Sequence, residues 1–107
     1  MEIEDTIGKY YYLRDYQIIE GRVNQIQNVF FHVLRREDEH RVECMMYMFI
    51  RYTENNHTYC YIGNTFADFN RENVDKYEEF RELSEEEYRS MTNRMLSMYE
   101  EINDQRN

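Results

Sequence analysis

The sequence predicts an α+β protein in which a C-terminal amphipathic helix packs on a four- to five-stranded antiparallel sheet or small open barrel. One observation is an unbroken apolar run from Val42 to Tyr52. Another is a series of strand-like segments, separated by short polar turns, over residues 9–62. The last is a helical apolar stripe after Ser84. With 107 residues the chain is long enough for one modest core, so we expect a single domain over residues 1–107.

The run from Val42 to Tyr52 is predicted to be the central strand. As a helix it would be apolar all round, whereas its aromatic and β-branched residues favour a pleated surface. Alternation divides its side chains between a wholly apolar or amphipathic face (Val42, Cys44, Met46, Met48, Ile50, Tyr52) and a second face (Glu43, Met45, Tyr47, Phe49, Arg51). The second face is polar at both ends, so we expect another element to pack only across its middle.

Two strands and one further candidate are predicted before the central strand. Residues 9–13 suit a first strand or an aromatic lid, and Tyr16–Ile26 is the better strand candidate. Gly21 inside that candidate predicts a bulge or a barrel corner. Residues 27–28 (Gln-Asn) suit a tight turn because Asn tolerates a left-handed φ, and residues 29–34 form the returning strand.

Polar segments bound the central strand on both sides. Residues 35–41 carry six formal charges and a histidine, so they form an exposed loop. Residues 53–57 contain an Asn-Asn pair that suits a type I′ turn, and residues 58–62 pair back until Gly63-Asn64 ends them. Residues 9–62 are therefore predicted to form an antiparallel meander.

Residues 63–83 form an acidic connection for which two interpretations remain open. Asn70 suits the N-cap of a short helix that carries Val74 and Tyr77. Residues 79–83 suit an edge strand that closes the barrel. The wide spacing of the apolar residues does not decide between the two.

The C-terminal helix is predicted over residues 84–103. Ser84 and Glu87 have the spacing of a capping box, and Leu83 and Tyr88 have that of a hydrophobic staple. The residues that repeat at helical spacing form one core-facing stripe: Tyr88, Met91, Met95, Met98, Tyr99 and Ile102.

The sequence holds no motif for catalysis or for binding a cofactor. Cys44 lies among methionines in a strand, where a thiol stays protonated, and we expect Cys44 and Cys60 both to be reduced. His57 and Cys60 have half the spacing of a zinc site but no second pair nearby. We therefore predict no catalytic residue, no cofactor and no metal site. A carboxylate enzyme is a weaker alternative, since 22 acidic residues guarantee some pair at a workable distance.

No segment has the pattern of a signal peptide, and no apolar run approaches the roughly 20 residues that span a bilayer. From these two absences we expect a protein without a membrane partner that works in the cytoplasm, or in the host cytoplasm if a phage encodes it.

Acidic residues are concentrated rather than spread evenly. Residues 68–87 hold nine acids and three bases, which is −6 of the chain's formal charge of −9. Such a chain does not suit direct nucleic-acid binding, which requires cations that neutralise phosphates. It suits a basic partner, with aromatic residues as anchors. The predicted partner-binding residues are Glu37, Asp38, Glu39, Asp68, Glu72, Asp75, Glu78, Glu79, Glu82, Tyr77 and Phe80.

Two functional hypotheses follow. In the first, the protein is a non-enzymatic inhibitor that occludes the basic, nucleic-acid-binding surface of a partner protein and acts partly as a nucleic-acid mimic. Its target would be a host nuclease, such as a CRISPR effector, and its source a phage or mobile element; this link rests on analogy of charge and size. In the second, it is a small-barrel adaptor or assembly module with no nucleic-acid-related partner, for which a homodimer through a strand edge is one form.

Overall fold

The computed structural model describes the backbone of residues 2–106 and the side chains of residues 2–99. After a 3-10 helix (Ile3–Asp5), the elements are β1 (Tyr10–Ile19), β2 (Arg22–Arg36), β3 (Val42–Tyr52), β4 (Thr58–Ala67), α1 (Arg71–Val74), β5 (Glu79–Leu83) and α2 (Glu85–Arg106). The five strands form one antiparallel sheet in the order β4-β3-β2-β1-β5. The predicted α+β class is confirmed, and the sheet is open, because β4 and β5 lie at opposite edges.

The strand from Val42 to Tyr52 forms with the predicted bounds, but its central position is wrong. β2 is the middle strand, and β3 lies between β2 and the edge strand β4. β2 is the longer strand, with 15 residues, and its Phe30 and Val33 are almost fully buried. A strand whose two neighbours pair along most of its length can bury side chains on both faces. The two predicted faces of β3 are confirmed, since Cys44 and Phe49 belong to different core clusters.

The first hairpin turns at a different place from the one predicted. Glu20 and Gly21 both have positive φ, at 52° and 76°, which is the backbone of a two-residue hairpin turn that matches the strand twist. Residues 27–28 lie inside β2, opposite Asp15 and Arg14 of β1. The predicted strand through Gly21 and the predicted turn at 27–28 are therefore wrong. Gly21 is a turn residue, and the ladder irregularity lies between Gln17 and Ile18.

The second hairpin and the acidic connection agree more closely with the prediction. Residues 53–57 form the turn, in which the Tyr52 N–H donates to the His57 carbonyl at 2.8 Å. The predicted type I′ geometry is wrong, because Asn56 has a positive φ of 57° and Asn55 does not. β4 extends to Ala67, five residues beyond its predicted end. Both interpretations of residues 63–83 hold in part. The Asn70 side chain accepts a hydrogen bond from the Asn73 N–H at 3.0 Å and caps α1. β5 is an edge strand, but it pairs with β1 and closes no barrel.

The two faces of the sheet carry separate core clusters. Face A holds Tyr11, Leu13, Val29, Phe31, Val33, Val42 and Cys44, with Phe69 packed on them. Ile3 and Ile7 near the N-terminus, together with side chains from residues 67–80, cover this face. Face B holds Tyr12, Phe30, Phe49 and Leu83, with Tyr88 of α2 packed on them. Face B is therefore the face that the C-terminal helix covers.

The start of α2 follows the prediction closely. The Glu87 N–H donates to Ser84 Oγ, and the Ser84 N–H donates to Glu87 Oε1, both at 3.0 Å. The stripe is confirmed for Tyr88 and the partly buried Met91 and Met95, and Leu96 joins them. Met98 is half exposed, and the Ile102 side chain lies outside the described residues. The helix continues to Arg106, past the predicted end at 103.

Candidate functional site

The acidic residues of the β2–β3 loop meet residues from two other parts of the chain. Glu39 lines a shallow cavity of about 190 Å³ together with Asp68, which follows β4, and Glu2 near the N-terminus. Arg36 and His40 also line it, and Arg36 Nε is 2.9 Å from Glu4 Oε1. Glu2 and Glu4 were not among the predicted partner-binding residues, because their place beside this loop depends on long-range packing.

The predicted acids of residues 68–78 follow the chain across face A. β4 and β5 are the two edges of the sheet, so the segment between them must cross from one edge to the other. Phe69, Val74 and Tyr77 from this segment pack against the face A core. Glu72, Asp75 and Glu78 are exposed. We call this surface, from the β2–β3 loop across residues 68–78 to β5, the acidic band.

Several carboxylates of the acidic band already have cationic partners. Glu82 lies 3.5 Å from Lys9, and Glu79 lies 3.2 Å from Arg81. Asp75 and Arg71 are 3.9 Å apart, and Asp38 and Arg41 are 2.8 Å apart. In the part of the chain that the structure describes, no cationic group lies within ion-pair distance of five carboxylates: Glu37, Glu39, Asp68, Glu72 and Glu78. Their charges are therefore not compensated locally.

Asp38 has a structural task in the β2–β3 loop. Its Oδ1 accepts hydrogen bonds from the N–H groups of His40 and Arg41, both at 2.8 Å, and its Oδ2 accepts one from Arg41 Nε at 2.8 Å. The His40 N–H and the Arg41 groups lower the pKa of Asp38 to about 2. Asp38 thus holds the loop in shape, while its neighbours Glu37 and Glu39 are open to solvent.

The two predicted aromatic anchors belong partly to the fold. Phe80 is half-buried, with its ring centroid 5.4 Å from that of Tyr11 and 5.5 Å from that of Phe69. Tyr77 is half-buried against the same core. Neither side chain is presented as an open aromatic surface. The most exposed aromatic side chains lie instead on β4.

β4 is an unusually bare edge strand. It has no charged residue and no proline along its ten residues. Four of its large side chains are about half exposed: Tyr59 at 52%, Tyr61 at 51%, Ile62 at 48% and Phe66 at 50%. Natural sheets usually protect such edges with charges, prolines or bulges, because unpaired N–H and C=O groups invite another strand. No residue of this surface was among the predicted partner-binding residues, because the predicted strand ended at residue 62. The uncharged run over 58–67 was the available signal.

The described residues offer no activated nucleophile. Burial, and then the Glu43 carboxylate, raise the pKa of the Cys44 thiol to about 12, and burial raises the pKa of Cys60 as well. Among the described residues no three His, Cys, Asp or Glu side chains are placed to hold a metal ion. No helix within the described residues is long and apolar enough to cross a membrane.

Comparison of the chain with models of protein families, with curated proteins and with solved structures gave no match. Three kinds of surface on this chain therefore bear on its function: the acidic band, the bare β4 edge and the concave surfaces between elements.

Proposed function

We propose that this protein is a small, acidic, non-enzymatic binding protein that occludes a basic, nucleic-acid-binding surface of a partner protein and acts partly as a nucleic-acid mimic. The observation that supports this proposal is the set of five carboxylates of the acidic band that lack a cationic partner among the described residues. The partner class is a nuclease of the kind that phage and mobile-element inhibitors block, such as a CRISPR effector in the host cytoplasm.

Electrostatics explains why uncompensated carboxylates favour such a partner. A carboxylate that already has an internal ion pair must lose that contact or share it when a new cation arrives. Glu39, Glu72 and Glu78 carry no such cost, so an arginine or lysine of a partner need not displace an internal cation. Opposite potentials raise association rates and set the orientation of the complex. Because exposed charges are screened over about 8–10 Å at physiological salt, the complex should weaken steeply with ionic strength.

Affinity capture from nuclease-treated host lysate tests this proposal, with elution in salt steps and identification by mass spectrometry. We expect a nucleic-acid-binding protein that elutes at moderate salt. The variant Glu39→Gln, Glu72→Gln, Glu78→Gln should no longer capture it. The matched control, Glu20→Gln, Glu54→Gln, Glu86→Gln, removes the same charge outside the acidic band and should capture it normally. Equal capture by the two triple variants would contradict the proposal.

The β4 edge favours a second candidate function, an assembly module that dimerises strand to strand. Pairing of β4 with β4 of a second copy would be antiparallel about a two-fold axis and would extend the sheet to ten strands. Because β4 has no charged residue, no like charges would face each other across this contact, although each chain has a net charge of −9. Tyr61 and Ile62 would contact their counterparts on the two faces.

Sedimentation equilibrium separates this candidate from the first. Dimerisation through β4 predicts a dimer at micromolar concentration that persists at high salt, because hydrogen bonds and apolar contacts are little screened. Ile62→Lys should give a monomer, whereas Ile18→Lys, at a similarly exposed apolar position outside β4, should not. A wild-type protein that stays monomeric at all concentrations would rule the candidate out.

A further inference from the structure

A second concave surface lies on face B, where the later turns of α2 pass over the sheet. It is a cleft of about 370 Å³ with a floor formed by Ile26 and Phe49 and a wall formed by Met95. The polar side chains that line it include Arg14, Asn28 and Arg51. The cleft lies beside the 53–57 turn, because two of its lining residues, Arg51 and Thr58, pair across β3 and β4 next to that turn. The β2–β3 loop is at the other end of the strands.

Arg14 is the most unusual residue of the cleft. Its Nε is buried and has no hydrogen-bond acceptor among the described residues. Glu79, which lies opposite Arg14 on β5, is paired with Arg81 instead. The guanidinium lies 5.4 Å from the centroid of the Tyr16 ring, a cation–π contact that supplies no acceptor. A buried charged donor without an acceptor is costly to the fold, so it calls for an explanation.

Arg51 and Asn28 add donors to the same cleft. Arg51 is exposed and has no carboxylate within ion-pair distance in the described part of the chain. Asn28 Oδ1 accepts a hydrogen bond from Tyr12 Oη, which leaves the Asn28 amide N–H groups as donors. Arg14 is on β1 and Arg51 is on β3, and only β2 lies between these strands. The two strands are therefore about 10 Å apart, and two arginine side chains are long enough to contact the same bound group across that distance.

The charge of the cleft is opposite to that of the molecule. The chain has 22 acidic residues and 13 basic ones, yet no acidic side chain among the described residues lines the cleft. Two arginines and an asparagine therefore line a cleft whose floor is apolar. A concave site of about 300–1,000 Å³ that is mostly apolar, with a few convergent polar groups, is the usual form of a small-molecule site.

We propose that this cleft binds a small organic anion, in which a carboxylate or phosphate group is attached to a compact apolar body. Arg14 and Arg51 bind the anionic group through their terminal guanidinium N–H groups. Phe49 and Met95 contact the apolar body. The cleft touches β4 at Thr58, and its Arg14 lies opposite Glu79 of β5. Among the described residues it contains none of the five carboxylates without a cationic partner and none of the half-exposed β4 side chains, so it stands or fails independently of the proposed function.

Titration followed by amide chemical shifts tests the site directly. The probe is phenyl phosphate, with benzoate as the carboxylate counterpart and with inorganic phosphate and phenol as its separate halves. Phenyl phosphate and benzoate should each shift the amides of Asn28 and Thr58 saturably, and each half should bind at least about tenfold more weakly, a loss of roughly 1.4 kcal/mol. Arg14→Gln should weaken phenyl phosphate binding at least about tenfold. Arg94→Gln, which removes an exposed arginine of α2 outside the cleft, should leave it unchanged.

A stability measurement separates ligand binding from a structural role of Arg14. Because the buried Nε lacks an acceptor, Arg14→Met should raise the Tm of the free protein and abolish the stabilisation that phenyl phosphate gives the wild type. A lower Tm for Arg14→Met would assign Arg14 to the fold and overturn the proposal. So would an absence of saturable binding at millimolar phenyl phosphate, equal binding by Arg14→Gln and Arg94→Gln, or equal affinity for inorganic phosphate.

Discussion

Cys44 shows how position in the sheet decides the chemistry of one side chain. It lies on β3 opposite Val33 of β2 and Thr65 of β4, and it is fully buried on face A. Cys60 lies on β4 opposite Phe49 and is only partly buried. The cysteines therefore lie at different places along neighbouring strands, and both are free thiols. Their different burial predicts different reactivity.

We predict that iodoacetamide modifies Cys60 well before Cys44 in the folded protein at neutral pH. Burial raises the pKa of Cys44 to about 12, so almost no thiolate is present, and the surrounding side chains exclude the reagent. Peptide mass spectrometry after timed labelling measures the two rates, and labelling in urea supplies the unfolded reference. Similar rates for Cys44 and Cys60 in the folded protein would contradict this.

At the scale of single elements, the β1–β2 hairpin carries a residue that does not suit its conformation. Glu20 has a φ of 52°, in the left-handed region that non-glycine residues seldom adopt, and Gly21 follows it at 76°. A type I′ turn prefers Asn-Gly at these two places. The pairing of β1 with β2 imposes this turn on a glutamate.

Replacement of Glu20 by Asn should stabilise the protein by roughly 0.5 kcal/mol, because Asn adopts the left-handed region at lower cost. Urea unfolding followed by circular dichroism measures the change. Glu54→Asn is the matched control. It introduces the same residue into an exposed turn position whose φ is not positive, and should change stability little. A Glu20→Asn variant no more stable than the wild type would argue against this turn.

The start of α2 has a reciprocal pair of hydrogen bonds whose contribution can be measured. Ser84→Ala removes the acceptor of the Glu87 N–H and should lower the free energy of unfolding by about 1 kcal/mol. Ser90→Ala, the same substitution at an exposed position inside the helix, should be neutral or slightly stabilising. Equal effects of the two substitutions in thermal unfolding would show that the cap contributes nothing.

The whole molecule is a single sheet with a different cover on each face. α2 packs on face B through Tyr88, and face A is covered by residues near the N-terminus and by the segment that joins β4 to β5. Much of the buried area is aromatic, and several of these rings are tyrosines that carry an ionisable hydroxyl. The free energy of unfolding should therefore decrease at alkaline pH, where these hydroxyls ionise.

We predict that the protein loses stability as the pH rises from 10 to 12. Burial, and secondarily neighbouring groups, raise the pKa values of Tyr11 and Tyr88 from 10.0 to about 12, so the folded state favours the protonated phenol. Below pH 10 this contribution is fully present; above it the unfolded state loses the proton first and unfolding becomes easier. Urea midpoints measured across this range test the prediction. Tyr88→Phe should flatten the decline, and an unchanged pH dependence in that variant would contradict it.

Local patterns of the sequence predicted the elements whose signals lie within a few residues. The capping box at Ser84 and Glu87, the turn over residues 53–57 and the alternation along β3 were correct, because each depends on hydrogen bonds or side-chain spacing inside one short segment. The hairpin turn was predicted at residues 27–28 because Gln-Asn resembles a turn as much as Glu20-Gly21 does. Only the pairing of whole strands decides between them.

The sequence by itself determined the fold class, the bounds of β3, the start of α2 and the excess of negative charge. The tertiary structure decided that β2 is the middle strand, that the sheet stays open, that Tyr77 and Phe80 pack against the core, and that Arg14 and Arg51 share a cleft. The physical reason is the range of the interactions involved. Periodicity and capping act over three or four residues, whereas strand order and shared sites depend on packing between segments that lie far apart in the chain.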